Sequence, residues 1–238
     1  MWIGLARSND TAAQYRSETD LHALGFRKRS DVAEALLFVS GLGGHRAAVN
    51  GRPLDPTAVR GSVTEWSNRT FYFGEDVTAD LQDAADGPGG KVVVAVELYK
   101  HWYGLSNRFY PVAYGPRSLK AVLVLTHTNG TSAFLSPTCS ATSSDSNASC
   151  GWRHGSGSTL YEDLHTGQIA DGRLASPGWE AAGFVAGPAW RTPAAVVGPP
   201  GELRPHPMQR SRVRPLPTST SFDHFAVRLD APFVMCPT

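Results

Sequence analysis

The stretch AEALLFVSGLGGHRAAVNGRPL, residues 33–54, holds two short runs of apolar and β-branched residues, separated by glycine-rich breaks and closed by an Asn-Gly pair. Each run is too short for a helix with a defined apolar face and fits a strand. Asn50 and Gly51 are able to take the positive φ angles that a tight hairpin turn requires. SGLGG at 40–44 and VNGRP at 49–53 therefore bracket a hairpin-like pair.

Outward from this stretch the same grammar repeats. RTFYFGEDV (69–77), KVVVAVELY (91–99), LKAVLVLTH (119–127) and STLYEDL (158–164) are short, rich in β-branched and aromatic residues, and bounded by turn residues. One short helix is expected in GEDVTADLQDAA (74–85), capped by Asp76 and carrying Val77 and Leu81 on one face. The 24 glycines and 17 prolines are spread along a chain that lacks long helical periodicity, so the fold class is all-β. Two half-apolar sheets must cover each other, which gives an antiparallel β-sandwich or jelly roll over residues 1–214. Residues 215–238, PLPTSTSFDHFAVRLDAPFVMCPT, open like a linker, and their apolar part can pair as an edge strand.

Composition removes several function classes. The 238 residues carry a net charge of +1 and only 18% charged side chains, which gives no field to gather nucleic acid or an anionic membrane. No apolar run approaches the ~20 residues of a membrane span, and the start MWIGLARSND lacks the pattern of a signal peptide. The eight histidines stand singly and the three cysteines fit no zinc frame, so no metal site is expected. GLGGH at 41–45 joins two strands with no helix behind it, which excludes a phosphate loop.

Cys139 and Cys150 enclose a short polar loop, and a bridge between them, with Cys236 left over, would remove about 3 kcal/mol of unfolded-chain freedom. Glycosylation acceptors occur at Asn68, Asn129 and Asn147. Together these favour a secreted or lumenal protein. A cytoplasmic chain with three free thiols is the alternative.

AEALLFVSGLGGHRAAVNGRPL, RTFYFGEDVTADL, VVVAVELYKHWYG, GQIADGRLASPGWEAAGF and AWRTPAAVV, in that order, resemble the amino-terminal β-sandwich module of bacterial-type α-L-rhamnosidases, glycoside hydrolase family 78. The resemblance runs from about Gln14 to Val213. The family's Gly-Glu-x-Tyr-Asp-Ala-Arg is altered here, with Gln168, Ala170 and Gly172 at the Glu, Tyr and Ala positions while Asp171 and Arg173 remain. This favours a structural role for the segment, with Asp171 and Arg173 on one side of an extended chain and Trp179 as a large apolar contact.

In the family, hydrolysis takes place in a separate, later helical barrel, where two carboxylates stand ~6.5–9.5 Å apart to admit water. The chain holds no run of helical hairpins of that kind, and its own acids next to turns, Glu75, Asp76, Glu162, Asp163 and Asp171, read as solvated or capping. The resemblance therefore implies a non-catalytic module that binds carbohydrate, with a rhamnose-containing glycan as partner. Sugars are held by aromatic faces and by amide, carboxylate and guanidinium groups. The candidates are Asn50 on its hairpin tip, Trp66 with Asn68 before the aromatic strand, and His101, Trp102 and Tyr103, followed by Asn107 and Arg108, at one strand exit. Trp66, Trp102 and Tyr103 have a competing reading as core residues.

Some related modules, forming carbohydrate-binding module family 67, reach rhamnose through a calcium ion held by an Asp-Asn pair. Val49 precedes Asn50 here, so calcium is disfavoured and no cofactor is expected. Two alternatives stay open: a scaffold sandwich that has lost sugar binding, and a piece of a full rhamnosidase.

Overall fold

The structure is a computed structural model that describes residues 1–4, 12–55, 60–61, 63–104, 114–137 and 151–207. The chain divides into a unit Met1–His206 and a second unit Pro207–Thr238, of which only Pro207 is described. The expected boundary at 214–215, the cysteines Cys139, Cys150 and Cys236, and Asn107, Arg108 and Asn147 lie outside the described residues.

The elements run β1 (Trp2–Gly4), β2 (Ala12–Asp20), β3 (Val32–Gly41), β4 (Gly44–Val49), β5 (Arg52–Pro53), β6 (Arg60–Gly61), β7 (Arg69–Asp76) and α1 (Thr78–Asp86). They continue with β8 (Lys91–Tyr99), β9 (Ser118–His127), β10 (Ser132–Leu135), β11 (Trp152–Ser156), β12 (Thr159–Asp163), β13 (Gly167–Ala170), β14 (Ala194–Val196) and β15 (Glu202–Pro205). One sheet has the order β14-β1-β9-β3-β7-β15, with β10 also on β9; the other has β11-β2-β8-β4-β5, with β6 also on β4. β12 and β13 form a separate hairpin. All described pairings are antiparallel except β15 on β7. The all-β sandwich expected from the sequence is the fold that forms.

Alternation along the strands builds the inter-sheet core. Ala35, Leu37 and Val39 of β3 with Leu119, Ala121, Leu123 and Leu125 of β9 share one cluster with Val92, Val94, Val96 and Leu98 of β8 and Tyr15 of β2. Each fully buried Leu or Val of this set contributes roughly 1.5–3 kcal/mol relative to exposure. Helix α1 adds Leu81, Ala84 and Ala85 to the same cluster. Asp76 accepts the Thr78 N–H at 2.9 Å, but the N-cap is Val77, one residue after the expected cap, and the helix begins at Thr78.

β8 is apolar on both faces, which is why its sequence reads as a nearly continuous run. Its second face presents Val93 and Ala95, and these, with Ala48 of β4, lie in a cluster with Trp179 and Trp190. Phe184 and Ala186 pack on that cluster, so residues 179–190 cover the outer face of this sheet.

The glycine-rich segment at 40–44 is corrected by the structure. β3 and β4 belong to different sheets, and the chain crosses between them at Leu42 and Gly43 instead of folding back. Gly43 has a φ of 103°, and a Cβ there would lie 2.1 Å from the Tyr99 carbonyl oxygen. The Asn-Gly turn does form: Asn50 (φ 49°) and Gly51 (φ 81°) join β4 to β5 with Val49 opposite Arg52.

Candidate functional site

Beyond Tyr99 the chain leaves the sheet in a turn closed by the Gly104 N–H on the Lys100 carbonyl, 2.9 Å. His101 sits in this turn at φ 46°, a left-handed conformation that costs a side-chain-bearing residue about 1 kcal/mol or more. What holds it there comes from β12. Glu162 Oε2 accepts the Lys100 N–H at 3.1 Å and Oε1 the His101 N–H at 3.4 Å. Burial pushes the Glu162 carboxyl above its usual range, opposed by those two N–H groups and by the Arg117 and Lys100 charges. Burial also lowers the His101 imidazole, whose Nδ1 has no hydrogen-bond partner among the described residues. The ring lies over Gly61, where a Cβ would stand 3.2 Å from its Cε1.

Below this turn lies an aromatic cluster. Leu42, Trp66 and Tyr103 are its buried centre, with Trp2 and Trp102 partly buried against it. Trp66 and Tyr103 are each only 5% exposed, so the core reading of both describes their geometry. Their rings meet edge to face at 5.2 Å. Tyr114 lies on top: 59% exposed, its ring 4.5 Å from Trp66 and stacked at 6.0 Å and 23° on Tyr103. Trp102 stands edge-on to His165 at 5.7 Å.

The structure thus brings Trp66, His101, Trp102 and Tyr103 together. Asn50 is elsewhere, since it follows Val49, which pairs with Val94, whereas Gly44 pairs with Tyr99 at the other end of β4, about 17 Å away. The Asn50 side-chain oxygen accepts the Val93 N–H at 2.7 Å, and its own N–H donates to the Val93 carbonyl at 3.0 Å. Asn68 and Asn129 are both exposed, and Asn129 Oδ1 accepts the Thr131 N–H and hydroxyl at 2.9 and 2.7 Å. Two members of the site escaped sequence reasoning. Tyr114 sits alone in a turn-rich segment, and Glu162 reads as one more acid beside a turn until β12 is placed next to the β8 exit.

The segment 165–184 has a structural part. Asp171 and Arg173 bond to each other, Nη2 to Oδ2 at 2.6 Å, on a short 3₁₀ turn instead of an extended chain, with Arg173 largely in solvent. Trp179 is buried, as its size suggests, and Arg16 fixes the covering segment by donating to the carbonyls of Trp179 (3.0 Å) and Ala181 (3.1 Å). The Arg16 guanidinium also lies 5.4 Å from the Phe184 ring centre. Among the described residues no three His, Cys, Asp or Glu side chains group as metal ligands, and no helix is long and apolar enough to cross a membrane.

Comparison with known proteins agrees with the sequence resemblance. The family model of the α-L-rhamnosidase N-terminal domain matches residues 30–214. An α-L-rhamnosidase of Streptomyces avermitilis is 28% identical over 185 residues, 77% of this chain but 16% of that protein. The solved α-L-rhamnosidase of Streptomyces avermitilis, complexed with L-rhamnose, aligns with a TM-score of 0.63 at 27% identity over 80% of this chain and 17% of its own. Those of Aspergillus terreus (TM-score 0.66, 21% identity) and Dictyoglumus thermophilum (0.65, 18%) share the fold, each over 86% of this chain and 22% of theirs. The chain thus spans about a sixth to a fifth of the length of these relatives, and over its matched residues it belongs to the α-L-rhamnosidase N-terminal domain family.

Proposed function

We propose that this chain is a non-catalytic module that binds carbohydrate at the β8 exit, with a rhamnose-terminated glycan as its partner. The observation that carries the reading is the Tyr114 ring, exposed to solvent and held from beneath by the buried rings of Trp66 and Tyr103. A rigid aromatic face of this kind covers the C–H side of a sugar at little entropic cost. Trp102, on the same cluster, and the polar groups of His101, Glu162 and His165 supply the orientation-fixing contacts. Rhamnose is favoured as the sugar because a relative has been solved with it. Asn50, bonded to Val93 at the far end of β4, is left out of this site. A secreted or lumenal location is proposed with it, on the exposed acceptors Asn68 and Asn129.

Titration calorimetry with L-rhamnose and a rhamnose-terminated oligosaccharide tests the reading. Weak binding is expected, because one open site gains few contacts against the cost of association. Tyr114→Ala and Trp102→Ala should each weaken it at least tenfold with Tm nearly unchanged, and a chelator should change little. The chain should release no product from an aryl α-L-rhamnoside above a buffer blank. Absence of binding across a broad glycan panel would overturn the proposal.

A second reading, a module that braces the remainder of a longer rhamnosidase, is favoured by the other sheet. Phe38, Tyr72, Val122 and Leu203 form a half-exposed apolar groove on its outer face. Solubility of the isolated chain improved by Phe38→Ser, with sugar binding intact, would support this second role.

A further inference from the structure

Alternation along β2 points Ala13, Tyr15, Ser17 and Thr19 towards the other sheet. Tyr15, only 1% exposed, fills its share of the space between the layers. The next two inner positions carry small hydroxyl residues, where a strand that only closes a core carries apolar ones. Both Ser17 and Thr19 are half-buried. Where they stand, the two sheets leave a cleft of about 250 Å³ between them.

The floor of the cleft is inter-sheet core: Leu37 of β3, Val94 of β8 and Leu123 of β9. Its walls come from the two edge strands, with Leu135 of β10 on one sheet and Trp152 of β11 on the other. The space is left by small residues, since Ser17, Ala121 and Gly151 stand on its lining where larger side chains would meet. Protein interiors hold few voids larger than a water molecule, and an apolar void of ~150 Å³ is enough to take up benzene. No charged side chain lines the cleft among the described residues. The sequence that links the two edge strands, TCSATSSDSNASC at 138–150, contains no apolar side chain larger than alanine besides its two cysteines, so its composition supplies no plug for an apolar space.

We infer that the cleft between the β10 and β11 edges binds a neutral aromatic alcohol of one or two fused rings, its ring on Leu37, Val94, Leu123 and Trp152 and its hydroxyl at Ser17 and Thr19. A slot between two facing sheets suits a planar ring, and the Trp152 indole offers it an aromatic partner. The apolar floor would leave most hydroxyls of a sugar unpaired, and a charged ligand finds no countercharge. The volume is too small for a long acyl chain. Neither Tyr114 nor Trp102 lines the cleft, so this inference stands apart from the carbohydrate-binding reading.

Amide-detected NMR of the whole chain, titrated separately with 2-naphthol, 2-naphthalenesulfonate and L-rhamnose, tests it. 2-Naphthol should shift the backbone amides of Ser17, Thr19 and Val94 and the Trp152 indole N–H, whereas the sulfonate and L-rhamnose should leave them in place. Ser17→Leu fills the cleft from its half-buried wall and Ala121→Leu from its floor. Each should weaken 2-naphthol binding at least tenfold with Tm equal to or above that of the parent chain, and Tyr114→Ala should leave that binding unchanged. Absence of 2-naphthol shifts at these groups, or binding that survives Ser17→Leu, would overturn the inference. A fall in Tm in both filling variants would show that the space has no room for a further side chain, and would overturn it too. Binding of the sulfonate or of L-rhamnose at these groups as tight as that of 2-naphthol would refute the neutral aromatic alcohol as the ligand.

Discussion

The Trp190 indole lies against the main chain of Gly155 so closely that a Cβ on Gly155 would come within 2.7 Å of the ring. The Arg191 N–H donates to the His154 carbonyl and the His154 N–H to the Arg191 carbonyl, both at 2.7 Å, which fixes the contact from both sides. Gly155→Val should therefore lift Trp190 and with it the cover over Val93 and Ala95. Overpacking of this kind costs about 1–3 kcal/mol, which lowers Tm by several degrees. Thermal unfolding followed by tryptophan fluorescence checks it, and a Tm equal to that of the parent chain would show that the cover is not anchored there.

The strands that were legible from sequence are those whose burial shows in their composition: β3, β7, β8, β9 and β12 match the runs chosen from the apolar pattern, and β4 nearly so. β2 was invisible because its outer-face residues Gln14, Arg16 and Glu18 are polar, each bonded to a neighbouring strand or the covering segment. β14 and β15 are too short to carry a pattern. The aromatic part of the site was visible in Trp66, Trp102 and Tyr103, but which ring faces solvent is decided by packing. Tyr114, not Trp66, is the exposed one.

Trp66 and Tyr114 should therefore respond in opposite ways to the same substitution. Trp66→Ala removes a buried centre of the cluster and should destabilise by ~3–5 kcal/mol. Tyr114→Ala, at an exposed ring, should cost under about 1 kcal/mol. Urea unfolding of the two variants makes the comparison, and equal losses would contradict the arrangement of the rings.

Arg60 bridges Asp55 at 2.9 Å and Glu75 at 3.4 Å, with all three side chains largely buried, and lies 5.4 Å from the Phe73 ring centre. Arg60→Ala leaves two buried carboxylates without this countercharge and should cost about 3–5 kcal/mol. The triple variant that adds Asp55→Asn and Glu75→Gln should recover part of that loss. No recovery would mean that the stem of Arg60, and not its charge, carries the effect.

His45, fully buried, has its imidazole pushed down to about 3 by desolvation and by the Arg60 charge. The folded form therefore keeps it neutral where the unfolded chain, titrating near 6.5, takes up a proton. Its contribution to stability is fully present above about pH 6.5 and is lost as pH falls towards 3, at up to about 1.4 kcal/mol per pH unit. His45→Leu should flatten this limb of the stability profile, and an unchanged acid slope in denaturant titrations from pH 7 to 4 would contradict it.

Glu162→Ala removes the acceptor that secures the Lys100 and His101 N–H groups and should cost about 1–3 kcal/mol, with faster hydrogen exchange confined to residues 100–104. Exchange rates there equal to those of the parent chain would show that the turn holds itself.

The covering of the β2-β8-β4 sheet has a consequence for synthesis. Arg16 finds its acceptor on Trp179 at a separation of 163 residues, β1 lies between β9 and β14, and β7 waits for β15. As the chain emerges from the ribosome, β2, β4 and β8 can pair while Val93, Ala95 and Ala48 still face water, and they stay so until residues 179–190 have followed. Contacts of such long range form slowly, and an uncovered apolar sheet attracts other nascent chains meanwhile. A segment translated late in the module thus acts as the seal on strands made long before it.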